Sequence, residues 1–280
     1  ARDRVQARPF LEEAYRSGAA FAEFLLTNRD RDGDGLLEWG GHAVLESVRD
    51  SQVPIWDLLG KDDPKAPSLV EALDLSVMVV QELRSLASMA AELGRNDESA
   101  RWTKRADELS RLVEATMWDE STGFYYNVDR DTNSFARGEL DLRRQEIIGF
   151  LPLWAGVASP ARAKTLVEKL TDPKKFWRRF GVPTLAADDP GFESQIRRCC
   201  QWNGAVWLEW NYLVFAGLRR HGYEELAREL GARMVEAAAT QLSRNHRFWE
   251  SYSPDEVKLA SPQSYIWDSI LARVLIDLHQ

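Results

Sequence analysis

The chain has 280 residues, 44% of them hydrophobic and 29% charged, with a formal net charge of −8. That apolar content supports a substantial buried core in one large all-helical domain over residues 1–280, while the acidic balance argues against nucleic acid or anionic membrane as a partner, because either would be repelled. Eleven tryptophans favour a carbohydrate instead, since an indole stacks on the apolar face of a sugar ring and its edge donates a hydrogen bond, although about two in three are expected to be core residues.

In chain order, Leu11, Ala14, Gly18, Phe21, Ala22 and Leu25 share one face of a first helix. Next, Asp30-Arg31-Asp32-Gly33-Asp34-Gly35-Leu36-Leu37-Glu38 sets carboxylates at alternate positions around a glycine turn, as a hard cation requires. Calcium is the expected ion, bound structurally through Asp30, Asp32, Asp34, Leu36 and Glu38. With Asp30 as position one, position twelve is Gly41, so the loop is not an EF-hand and Glu38 closes it; a solvated acidic turn is the alternative.

The segment Glu46-Ser47-Val48-Arg49-Asp50-Ser51 is a loop closed by Pro54, able to present Asp50 to a cleft. Arg49 would lower an aspartate's pKa, so an acid role requires Arg49 to be turned away or offset by burial; the alternative is a surface ion pair.

Leu73, Val77, Val80, Ala87, Ala90 and Leu93, followed by Trp102, Ala106, Leu109, Val113 and Met117, predict a helical hairpin over 71–117 with its turn at Arg95-Asn96. Phe124 to Val128 reads as a short strand after the turn Ser121-Thr122-Gly123. Further helices are predicted over 143–157, 160–170, 204–220, 224–242 and 263–278, making eight. The 204–218 stretch is apolar on nearly every face, which suits a helix buried between inner and outer layers of nested rings.

Cys199 and Cys200 are adjacent, so there is no disulfide framework, and the four histidines lack zinc spacing. With no serine nucleophile elbow or phosphate-cradling glycine loop, metallohydrolase and NTPase readings drop out. A start at Ala1 rather than Met points to processing or to a fragment of something longer. The compartment stays open, with the cytoplasm slightly favoured over periplasm or export.

The most telling stretch is Phe248-Trp249-Glu250-Ser251-Tyr252-Ser253-Pro254, a lone carboxylate among aromatics. Partial desolvation or a nearby donor would tune it for acid-base work, and a turn carboxylate beside loop-anchoring rings is the alternative. Glu250 and Asp50 together would supply the two carboxyls from distant loops that glycoside hydrolysis uses.

Taken together, the acidic loop 30–38, Glu46 to Asp50, the hairpin 71–117, Phe124 to Tyr126, Trp202 to Trp207 and Glu250 to Pro254 resemble glycoside hydrolase family 63 and its bacterial relatives, the inverting α-glucosidase and glucosylglycerate or mannosylglycerate hydrolase-like enzymes. The resemblance implies an (α/α)6 barrel, with Asp50 as general acid, Glu250 as general base, and Glu71 at the position of the family's distant calcium ligand. It also implies a sugar cleft formed by Trp39, Arg49, Trp56, Trp202, Asn203, Trp207, Trp249, Tyr252 and Trp267, with no organic cofactor. Val48 and Asn203 depart from the family's glycine and arginine.

Twelve helices make such a barrel, so eight leave it incomplete at the N-terminus with apolar helix faces exposed, to be covered by a missing segment or by homo-oligomerisation. The expected activity is inverting hydrolysis of an α-linked glucoside or related small glycoside. The rivals are a catalytically inactive sugar-binding or scaffold toroid and a different (α/α)6 enzyme such as a trehalase-like hydrolase.

Overall fold

A computed structural model describes residues 2–40, 59, 65–195, 202–257 and 266–279. Among the described residues are eight α-helices: α1 (Arg2–Asn28), α2 (Leu73–Glu92), α3 (Asn96–Thr116), α4 (Leu151–Ala155), α5 (Pro160–Leu170), α6 (Leu208–Arg220), α7 (Glu224–Asn245) and α8 (Ile270–Leu278). None of the described helices is long and apolar enough to cross a membrane.

The predicted hairpin is present as α2 and α3, joined through Gly94 at φ 77°, a left-handed turn that suits a residue without Cβ. The first free backbone N–H groups of a helix need acceptors, and here the Leu73 amide donates to Asn127 Oδ1 at 2.8 Å. Asn127 lies beside a strand pair formed by β1 (Val70–Glu71) and β4 (Val128–Asp129). Between them in sequence, β2 (Trp118–Asp119) and β3 (Phe124–Tyr125) close the expected aromatic hairpin over Gly123, and β5 (Ala136–Arg137) pairs with β6 (Leu140–Asp141).

Burial divides the helices into two layers. α2 and α6 bury side chains around much of their circumference, whereas α3, α5 and α7 bury single stripes, such as Trp102, Ala106, Leu109 and Val113 on α3. α4 packs between α2 and α6, and α8 packs on α6 and α7. An inner helix followed by an outer helix that returns the chain makes the inner helices α2, α4, α6 and α8 point the same way. Their N-terminal ends therefore share one end of the ring.

Three helix starts differ from the sequence reading. The helix predicted from Arg143 begins at Leu151 after a 3-10 turn, Ile147–Phe150, because Glu146 is extended and bridges Leu185. The helix predicted from Gly204 begins at Leu208, because Gly204 has φ 147° and Val206 pairs with Tyr252. The last helix enters through a 3-10 turn, Ile266–Ser269, and residues 263–265 lie outside the described residues.

Phe10, Phe21 and Phe24 of α1 and Leu275 and Ile276 of α8 are exposed to solvent. On its other side, α1 is tied to α3 by Trp102, which is fully buried and donates its indole N–H to Tyr15 Oη at 2.9 Å. Trp102→Ala would leave a large cavity at this junction. Urea denaturation should show a loss of about 3–5 kcal/mol, and a loss below about 1 kcal/mol would mean that α1 is not held there.

Candidate active site

A backbone pair organises the site. Val206 N–H donates to Tyr252 O at 2.8 Å and Tyr252 N–H donates to Val206 O at 2.9 Å, so the segment before α6 lies antiparallel to the segment that carries Glu250. Thr184 supports the first of these segments: its amide donates to Ala205 O, its hydroxyl donates to Trp202 O, and the Gly204 amide donates to that hydroxyl. Gly204 has no alternative here, because a Cβ would stand 2.4 Å from Glu193 O.

This pairing brings together four residues that the sequence reading placed in the cleft. The Trp202 and Trp207 rings stack with centroids 3.7 Å apart and planes at 17°, and Trp249 and Tyr252 approach from the opposing segment. Glu250, between those two, is only 1% exposed. The indole N–H groups of Trp202, Trp207 and Trp249 are buried and have no hydrogen-bond partner among the described residues. A buried donor without an acceptor is costly, so three in one site is an arrangement that a hydroxyl-bearing ligand would satisfy.

The Glu250 segment is held at several points. Ser253 Oγ donates to Ser194 O and accepts the Asp255 and Glu256 amides, while the Phe180 amide donates to Pro254 O. Asn203 is also engaged, its side-chain amide donating to Gly191 O at 2.7 Å. Trp267 is exposed at the start of the turn into α8. Asp50, Arg49 and Trp56 lie outside the described residues, as do Cys199 and Cys200.

Acidic groups stand at the starts of α2, α4 and α8. Asp74 in the first turn of α2 accepts the Trp39 indole N–H at 3.0 and 3.2 Å, fixing that tryptophan to the inner ring. Glu146 precedes α4 and Asp268 precedes α8, both buried. Burial, with Asp74 nearby, pushes the Glu146 carboxyl well above the usual range. Desolvation likewise raises Asp268 to about 6, against the opposing effect of the Tyr252 hydroxyl it accepts. Asp74, Glu146 and Asp268 were not singled out from sequence; the one local sign is an acid at the entrance to an apolar helical run.

The acidic loop is built as its sequence suggests. Gly33 and Gly35 take φ values of 81° and 93°, and carboxylate oxygens of Asp30, Asp32 and Asp34 lie within 4.8 Å of one another, as do those of Asp32, Glu38 and Glu71. Leu36 N–H donates to Asp34 Oδ1, Arg31 N–H donates to Glu38, and Ala72 N–H donates to Leu37 O, stitching the loop to Glu71. Glu71 is 0% exposed and both its carboxylate oxygens lack a hydrogen-bond partner among the described residues. Desolvation, then repulsion from Glu38 and the three aspartates, raises its pKa to about 9. An all-oxygen donor set with buried, unsatisfied carboxylate oxygens fits a hard divalent cation.

Residues 1–267 match the family described as the mannosylglycerate hydrolase MGH1-like glycoside hydrolase domain. Mannosylglycerate hydrolase MGH1 of Selaginella moellendorffii is 34% identical over 178 residues, covering 62% of this chain and 32% of that protein, so the chain spans about a third of that relative's length. The solved GH63 mannosylglycerate hydrolase from Thermus thermophilus, in complex with glucose, superposes with a TM-score of 0.72 at 24% identity over 98% of this chain and 72% of that one. Neutral trehalase Nth1 from Saccharomyces cerevisiae superposes with a TM-score of 0.60 at 19% identity over 77% of this chain and 39% of that one. These two likenesses show the fold, the (α/α)6 barrel architecture. With all but its last residues matched, the chain belongs to the mannosylglycerate hydrolase MGH1-like glycoside hydrolase domain family, within glycoside hydrolase family 63.

Proposed function

We propose that this chain carries the catalytic site of an inverting glycoside hydrolase that cleaves an α-linked glucoside or related small glycoside. The observation that carries this reading is the burial of Glu250 beside Trp202, Trp207 and Trp249 in a chain of a glycoside hydrolase family. Relatives named mannosylglycerate hydrolase make mannosylglycerate the first substrate to test.

In this mechanism Asp50 protonates the leaving oxygen while Glu250, as a carboxylate, takes a proton from a water attacking the anomeric carbon from the other face. The bond from the anomeric carbon to the leaving oxygen breaks as the bond to water forms, and the leaving group departs as an alcohol. Inversion calls for the two carboxyls to stand roughly 6.5–9.5 Å apart to admit that water. The stacked indoles supply an apolar wall for the sugar, and their N–H edges supply donors for its hydroxyls. Trp39, held by Asp74, stands at the same end of the ring. Arg49, Trp56 and Trp267 complete the proposed contacts.

We also propose that the acidic loop binds calcium through the carboxylates of Asp30, Asp32, Asp34, Glu38 and Glu71, with the Leu36 carbonyl as a further oxygen. The ion supplies positive charge for buried carboxylates and ties the loop to the start of α2. Its role is structural, and no step of hydrolysis passes through it.

Two outcomes test these readings. Glu250→Gln should reduce mannosylglycerate hydrolysis by at least about a thousandfold with an unchanged melting curve; near wild-type turnover on mannosylglycerate and a panel of α-glycosides would remove Glu250 from the base role. In chelator, stability should fall as pH rises from about 4.5 towards about 9, because Glu71 stays protonated in the fold and releases its proton more readily when unfolded. Calcium should abolish most of that decline and raise Tm at pH 8, and Glu71→Gln should flatten the decline without calcium. A Tm indifferent to calcium and chelator at pH 8 would exclude the cation site.

A further inference from the structure

The four residues Trp249 to Tyr252 form a loop closed at both ends, with Glu250 inside it. At one end the Trp249 backbone N–H donates to Tyr252 Oη at 3.3 Å. At the other, the Tyr252 backbone is paired in both directions with Val206. The phenol is thus the closing group, and its own hydrogen is donated to Asp268 Oδ1. Asp268 stands 16 positions later in the chain, in the turn that opens the inner helix α8.

Asp268 is an expensive way to fix a tyrosine. It is 7% exposed, and its second oxygen, Oδ2, is buried with no hydrogen-bond partner among the described residues. A buried carboxyl with one oxygen left unsatisfied forfeits solvation that a threonine or asparagine would forfeit less of. Groups kept at such a cost are found where geometry matters to function more than stability does. Here the phenol cannot rotate away without losing the acceptor at Asp268, and the Trp249 amide then loses its own acceptor.

We propose that Asp268 is a positioning residue for the Glu250 carboxyl, acting through the Tyr252 hydroxyl to hold the Trp249–Tyr252 loop in its working conformation. This inference rests on the glycosidase reading for its kinetic consequence, but its geometric half stands on the hydrogen bonds alone. Asp268 itself touches no reacting atom. It couples the start of α8 to the loop, so that the inner ring and the base move as one unit.

The test compares Asp268→Ala, Asp268→Asn and Tyr252→Phe by steady-state kinetics on a glycoside that the wild type hydrolyses, alongside crystal structures of wild type and variants. Asp268→Ala should lower kcat by about ten- to a hundredfold with KM within about threefold, since a displacement near 1 Å of a catalytic group has that effect. Asp268→Asn keeps an oxygen acceptor for the phenol and should recover most of the lost kcat. Adding Asp268→Ala to Tyr252→Phe should cost little more than Tyr252→Phe alone, because both changes break the same chain of bonds.

An unchanged kcat in Asp268→Ala, or an Asn variant as damaged as the Ala variant, would overturn the proposal. If Asp268→Ala does not fold, the Asn and Phe variants carry the comparison: activity kept by Asn and lost by Phe supports the link, and activity kept by both overturns it. If the wild type hydrolyses no glycoside, the glycosidase reading fails on its own, and the structures decide the rest. A displaced Glu250 carboxyl in Asp268→Ala supports the positioning role, and an unmoved one overturns it.

Discussion

The candidate site depends on one pair of backbone hydrogen bonds, those exchanged by Val206 and Tyr252. They join two segments far apart in sequence, the one that leads into α6 and the one that carries Glu250. The aromatic wall and the buried glutamate hang from that joint: the Trp202 and Trp207 stack on one strand, and Trp249, Glu250 and Tyr252 on the other. A two-residue bridge is weak in isolation, and it persists because Thr184 braces one side while Ser253 and the Pro254 carbonyl anchor the other. The cost of ordering this irregular backbone is met by the packed helices beneath it.

Around the joint, the electrostatics follow from topology. Inner helices that all point one way bring their N-terminal ends together, and those ends carry partial positive charge. Asp74 and Asp268 lie in the first turns of the inner helical runs and Glu146 just precedes one, all buried. Desolvation still wins at Glu146 and Asp268, whose carboxyls are pushed up rather than down, so these groups hold their protons more tightly than a surface acid does. The acidic loop poses a similar problem. Glu71 and its neighbours repel one another at close range, and a divalent cation is the natural neutraliser for a cluster with that many oxygens.

The sequence was most legible where local periodicity and structure coincide. The α2–α3 hairpin, the helix α5 from Pro160 to Leu170, and the aromatic β2–β3 turn are all places where neighbours in the chain decide the conformation. Two of the three misplaced helix starts share one cause: residues 143–146 and 204–207 carry apolar or helix-compatible side chains, yet their backbones are claimed by distant partners, Leu185 and Tyr252. No window of sequence contains such a pairing. The same limit applies to the site. Glu250 stood out because aromatics flank it in sequence, and the acidic loop because its carboxylates alternate with glycine. Asp268 carries no such signal, since its importance comes from a phenol sixteen residues away.

The central claim is that Glu250 directs water to the face of the sugar opposite the leaving group. Proton NMR of the sugar released from an α-glycoside, read before mutarotation, tests it most directly. The account predicts the β-anomer as the first product. An α-anomer would mean that the configuration is retained, and the assignment of Glu250 as a base activating water would be contradicted.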